Sequence, residues 1–212
     1  LALGWKLHET RARGVEIPRT FTKLVNKCKK DKTCKISNIY QILLNPNIID
    51  LAYHKIKSNP GNMTQGSTNL TLNGWGYESV LKLTDKLRDE SFQFSKAREV
   101  QIPKSNGGKR SLSLKIASPR DKIVQQAMLF ILEAIYEPSF SKQSFGFRKG
   151  IGCHDALYHI KQKFQVSRWF IEGDISKCFD EIDHATLIAA LRDRIKDEKF
   201  IRLIYKTLNA GY

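Results

Sequence analysis

The sequence predicts an α+β fold, helix-rich with one β-hairpin and a few short antiparallel strands. Three observations predict it. Apolar residues recur at helical spacing in several separate stretches, as in Ile49, Ala52, Tyr53 and Ile56. The run Asn106-Gly107-Gly108 stands between two arms of alternating polarity, and glycines accept the positive φ that a tight hairpin demands. Finally, Trp169, Ile171 and Ile175 alternate with Phe170, Glu172 and Asp174, the period of a strand with Asp174 near its end.

Taken in order, residues 1–35 read as a weakly structured basic arm, since Arg11, Arg13, Arg19, Lys23, Lys27, Lys29, Lys30, Lys32 and Lys35 come with little apolar periodicity. A short helix is expected around Ser37–Leu44. Asn45-Pro46 supplies an N-cap and first residue for the next helix, which Ser58-Asn59-Pro60-Gly61 stops. A polar loop leads to a helix over Tyr77–Ser91, with Val80, Leu83 and Leu87 on one side. The hairpin spans Arg98–Ile116. Lys104 and Arg110 flank its turn, so their cationic tips converge on one anion, Arg offering a fork and Lys a point charge.

Ser118-Pro119 caps a long helix to Glu137 whose core face is Ile123, Ala127, Met128, Ile131 and Ile135. Phe145, Phe147 and Arg148 surround Gly146 in the following loop, either as ordinary loop anchors or as a surface on which a base stacks. A helix striped by Cys153, Ala156, Leu157, Ile160 and Phe164 leads into the Asp174 strand, and two helices, from His184 and from Glu198, follow.

A net charge of +15, from 36 Lys and Arg against 21 Asp and Glu, points to a polyanionic partner such as RNA. No apolar run approaches the roughly 20 residues of a membrane span. The four cysteines show no C-x-x-C spacing and read as buried free thiols of a reducing compartment. No secretory signal is present, and the first residue is not Met, so a processed or excised piece is expected.

A carboxylate at the end of a buried strand costs several kcal/mol unless it is paired, and a divalent metal pairs well with it. Phe179 follows Asp174 by five positions and would lie beside the same site. The plainer reading makes Asp174 an exposed strand-edge residue, Asp183 a helix cap and Phe179 core.

Several stretches together resemble the front half of group II intron-encoded reverse transcriptases, the maturase family, with a bias toward organellar members. They are Ile56-Lys57-Ser58-Asn59-Pro60-Gly61-Asn62-Met63-Thr64, Val100-Gln101-Ile102-Pro103-Lys104, Ser118-Pro119-Arg120-Asp121-Lys122-Ile123-Val124-Gln125-Gln126-Ala127, Gly146-Phe147-Arg148 and Phe170-Ile171-Glu172-Gly173-Asp174-Ile175. The resemblance implies right-hand polymerase architecture: a basic arm over 1–35, fingers over 36–165 and the first part of a palm over 166–212. It implies that Lys104 and Arg110 bind the dNTP triphosphate with Arg98 assisting. It also implies that Asp174 and the Ile175 carbonyl take Mg²⁺, and that Phe179 excludes a nucleotide 2′-OH.

Two departures accompany it. After Met63-Thr64 the family continues with Pro-Gly, whereas this chain reads Gln65-Gly66-Ser67-Thr68-Asn69. The Tyr-x-Asp-Asp hairpin that supplies further metal carboxylates is missing, and no Asp-Asp pair occurs anywhere. The thumb is likewise not part of the sequence. The chain alone is therefore expected not to polymerise; a longer precursor or a second chain would complete the Mg²⁺ site. The other reading is a non-catalytic derivative serving as an RNA-binding subunit of a ribonucleoprotein. The expected location is the mitochondrion, with plastid or bacterial cytoplasm as alternatives.

Overall fold

The computed structural model describes residues 15–103 and 109–211, with backbone alone at 101–103 and 109–113. Its first helix, α1 (Arg19–Lys30), buries Phe21, Leu24 and Cys28, three and four residues apart. The expectation of a weakly structured arm therefore fails for this stretch. Its apolar stripe is narrow and crowded by lysines, which reach solvent while Lys27, Lys29 and Lys30 favourably face the negative end of the helix dipole.

The short α2 (Tyr40–Leu43) leads to α3 (Pro46–Lys57). The Asn45 side chain accepts a hydrogen bond from the Asn47 N–H at 3.0 Å, as the Asn-Pro pair predicts. Next, α4 (Tyr77–Arg88) stops three residues before Ser91. Glu90 there adopts φ +59°, which no helix can continue. Ser118 accepts from the Asp121 N–H and starts α5 (Pro119–Tyr136).

α5 is the centre of the fold. Ile123, Val124, Ala127, Phe130, Ile131, Ala134 and Ile135 are all buried, and α1, α2 and α3 pack on it. Helices on several sides explain why its apolar surface is wider than the stripe of a surface helix. The C-terminal helices α7 (His184–Arg194) and α8 (Glu198–Leu208) join the same core through Ile188, Ile195, Phe200, Ile201, Leu203 and Ile204. Their junction is fastened to the N-terminal region by backbone: Ile36 N–H donates to Arg194 C=O and Lys196 N–H to Ile36 C=O, both at 2.7 Å.

The hairpin forms as β1 (Arg98–Pro103) and β2 (Lys109–Ile116), antiparallel, with Arg98 opposite Ile116 and Val100 opposite Leu114. The register slips between Gln101 and Pro103. Beside it, the loop after α3 approaches so closely that a Cβ on Gly66 would stand 2.7 Å from the Ser118 nitrogen. Gly66 thus lies against backbone, where only glycine fits.

Two expectations are corrected. Residues 169–175 form no strand, because among the described residues the sheet holds only β1 and β2 and leaves this segment without a ladder partner. Trp169, Phe170 and Ile171 are 90, 87 and 100 % exposed, so both faces of the expected strand are in solvent. Likewise α6 (Cys153–Lys163) forms as predicted but buries none of its residues, and Leu157, Ile160 and Phe164 are exposed. Among the described residues no helix is long and apolar enough to cross a membrane.

Candidate functional site

Asp174 lies in the irregular segment between α6 and α7, and its side chain is exposed. The segment continues through a turn in which Asp180 N–H donates to Lys177 C=O at 2.9 Å, with Lys177 at φ +46°. Asp183 then caps α7, accepting from the Thr186 N–H at 2.7 Å, so that part of the plainer reading holds. The cap bonds to Thr186 hold the Asp183 carboxyl below its ordinary range.

Among the described residues, contacts from β2 and from the loop before α6 tie this segment to the rest of the molecule. Lys115 on β2 donates to Asp180 at 2.8 Å, and that bond lowers the Asp180 pKa. The Phe179 ring meets Phe147 edge to face, with centroids 6.0 Å apart. Phe147 itself is 99 % exposed and sits at φ +55°, a conformation rarely adopted by a bulky residue. Phe179 is therefore not core, and the structure brings the two aromatic residues that the sequence singled out into one cluster.

Arg148 belongs to a different device. Its guanidinium donates twice to Glu137 Oε1, at 3.0 and 2.7 Å, and from Nη1 to the carbonyls of Ser141 and Ser144. It also stacks over Phe140 at 5.5 Å. With these donors spent on the loop, Arg148 anchors residues 137–148.

Of the cationic hairpin, Lys104 lies outside the described residues, and Arg110 is described by its backbone in β2 next to the turn. Arg98 starts β1 at the other end. The six-residue offset between Arg110 and Ile116, the partner of Arg98, spans about 20 Å of strand. Arg98 and Arg110 therefore stand at opposite ends of the hairpin. The Arg98 Nε donates to the Gln65 carbonyl at 3.1 Å. Lys122 donates to the neighbouring Thr64 carbonyl at 3.2 Å, and burial followed by the nearby Arg98 charge lowers its pKa. The two cations hold the loop that carries Gly66.

Sequence reasoning missed the Lys115–Asp180 pair, for which residues 65 positions apart give no local signal. The same is true of Glu90, which pairs with Lys199 and Arg202 of α8 at 2.9 and 2.8 Å.

As a metal centre the described residues are incomplete. Asp174 offers one carboxylate and Ile175 one carbonyl, and no group of three or more His, Cys, Asp or Glu side chains converges among the described residues. A phosphoryl-transfer site needs carboxylates shared between ions. The residues present do not by themselves fit a two-ion site.

Residues 102–211, more than half of the chain, match the family model described as reverse transcriptase (RNA-dependent DNA polymerase). The chain belongs to the reverse transcriptase family. Several of its relatives carry names that place them in introns. It is 49% identical over 176 residues to the "Uncharacterized 91 kDa protein in cob intron" of Schizosaccharomyces pombe, covering 82% of this chain and 22% of the relative. To the "Putative COX1/OXI3 intron 1 protein" of Saccharomyces cerevisiae it is 45% identical, covering 83% of this chain and 21% of the relative. To the "Group II intron-encoded protein LtrA" of Lactococcus lactis subsp. cremoris the identity is 43%, over 83% of this chain and 29% of the relative. This reverse transcriptase chain thus spans between a fifth and three tenths of the relatives' own lengths.

Proposed function

We propose that this chain is the N-terminal reverse transcriptase portion of a group II intron maturase, acting in RNA-directed DNA synthesis and in binding intron RNA for splicing. The observation that carries the proposal is the reverse transcriptase match over 102–211, a span that includes both the second half of the hairpin and Asp174. The net charge of +15 supports an RNA partner, since each neutralised phosphate releases counterions. The exposed apolar stretch from α6 to Phe179 supports completion by further polypeptide, because patches of this kind mark surfaces meant to be covered. That polypeptide would be either a continuation of the same chain or a second chain carrying the rest of the palm and the thumb.

In this proposal residues 36–165 are fingers and the palm begins after them. Lys104 and Arg110 hold the dNTP triphosphate, with Arg98 assisting. Asp174 and the Ile175 carbonyl furnish one side of a Mg²⁺ site that other carboxylates complete. The ion would stabilise charge developing on the transferred phosphoryl group. Phe179, braced by Phe147, lies under the incoming sugar and leaves a 2′-OH neither room nor a hydrogen-bond partner. A mitochondrial location is proposed on the likeness to the intron proteins of the two yeasts.

The test is RNA-templated incorporation of dNTPs by the polypeptide extended to the length of its relatives. Asp174→Ala should lower turnover about 10³-fold or more, as expected for loss of several kcal/mol of charge stabilisation. RNA affinity should stay unchanged, and Phe179→Ala should admit ribonucleotides. Unchanged RNA affinity with no DNA synthesis in the wild type would instead favour a non-catalytic RNA-binding subunit.

A further inference from the structure

Cys28 and Cys34 take no part in the reading above. Cys28 is fully buried in the last turns of α1, and Cys34 is half-buried just beyond the helix. Between them Asp31 accepts hydrogen bonds from both the N–H and the hydroxyl of Thr33, at 2.9 and 2.8 Å. This turn folds the chain back and sets the two sulfurs 4.0 Å apart in direct thiol–thiol contact. Two residues later Ile36 is clamped by the Arg194 carbonyl and the Lys196 N–H, so Cys34 is held at both ends. Of the remaining cysteines, Cys153 is exposed on α6 and Cys178 is half-buried in the turn before Phe179.

We propose that Cys28 and Cys34 form a reversible disulfide in response to low-molecular-weight disulfides such as oxidised glutathione. The more accessible Cys34 reacts first, as its thiolate. Its sulfur attacks one sulfur of glutathione disulfide, the S–S bond of the small molecule breaks, and one glutathione leaves and takes up a proton. Cys28 then attacks the Cys34 sulfur of the mixed disulfide. The Cys28–Cys34 bond forms, and the second glutathione leaves with the proton that Cys28 gives up. Two protein thiols are oxidised and one glutathione disulfide is reduced to two thiols. Burial, with the neighbouring Cys34 adding to it, pushes the Cys28 pKa up to about 11, so Cys28 holds its proton until that second step. The S–S bond requires the sulfurs to close from 4.0 Å to about 2.05 Å. The bond would lock the end of α1 to the segment that pairs with the α7–α8 junction.

The test is peptide mapping by mass after the folded protein is incubated with oxidised glutathione. A linked Cys28–Cys34 peptide that has lost two hydrogen atoms and reverts with dithiothreitol is the expected result, while Cys153 carries glutathione. Cys28→Ser should leave glutathione stranded on Cys34, and Cys34→Ser should leave Cys28 reduced. Glutathione retained on Cys34 in the wild type, both thiols untouched, or Cys28 modified equally well in Cys34→Ser would each overturn the proposal.

Discussion

The helices α5 and α6 carry the same kind of sequence signal and meet opposite fates. Each has apolar residues three and four apart, and each forms where that spacing predicts. In α5 the stripe is buried beneath α1, α2 and α3, whereas α6 buries nothing and passes into a segment where Trp169 and Ile171 stand in solvent. Periodicity therefore records a surface that needs covering and says nothing about whether the cover is present. In this reverse transcriptase chain that distinction separates a covered core from an uncovered face.

Mutation should expose the contrast most strongly. Ile131→Ala, at a fully buried position of α5, should destabilise by about 2–5 kcal/mol. Ile171→Ala should stay within about 0.5 kcal/mol. Denaturant midpoints at constant slope measure both, and a large loss at Ile171 would mean that the segment is packed after all.

The next effect sharpens the boundary between the two regions. Arg148 and Glu137 have side chains only 10 and 13 % exposed, and their ion pair closes the loop ahead of α6. Arg148→Ala should cost about 1.5–3 kcal/mol, the range for hydrogen bonds to charged groups. Arg148→Lys should recover only part, since a lysine lacks the fork that reaches both the carboxylate and two carbonyls. Full recovery by lysine would reduce the clamp to a simple charge contact.

A smaller effect is set by pH. Burial raises the Glu133 pKa on α5, with Glu137 adding to it against the opposing charges of Lys149 and Lys55. The folded carboxyl therefore holds its proton more tightly than the unfolded one. The stability it contributes is complete below the unfolded value of about 4.3 and is lost as pH rises through the raised folded value. Glu133→Gln should escape that loss and gain on the wild type as pH climbs out of the carboxylate range. Parallel stability–pH curves would show that Glu133 is solvated in both states.

Much of the packed body was legible in the sequence because its signals are local. Asn45-Pro46 and Ser118-Pro119 start helices where they stand, and Asn-Gly-Gly marks the hairpin. The end of α4 was placed late because Glu90 breaks the helix through its own backbone conformation rather than through a Gly or Pro. In α1 the stripe of Phe21, Leu24 and Cys28 was hidden by the density of charge around it. The site was legible in its residue types and not in its geometry. Pairs such as Lys115–Asp180 and Phe147–Phe179 join distant positions, and the Asp174 segment needs neighbours that alternation alone does not supply.

The most direct measurement of this account is amide hydrogen exchange, compared between α5 and residues 164–182 of the same protein. The account predicts the slowest exchange in α5 and exchange near that of an unstructured peptide across 169–175, with slowing there when the chain is extended to its relatives' length. Protection of 169–175 equal to that of α5 in the 212-residue chain would contradict it.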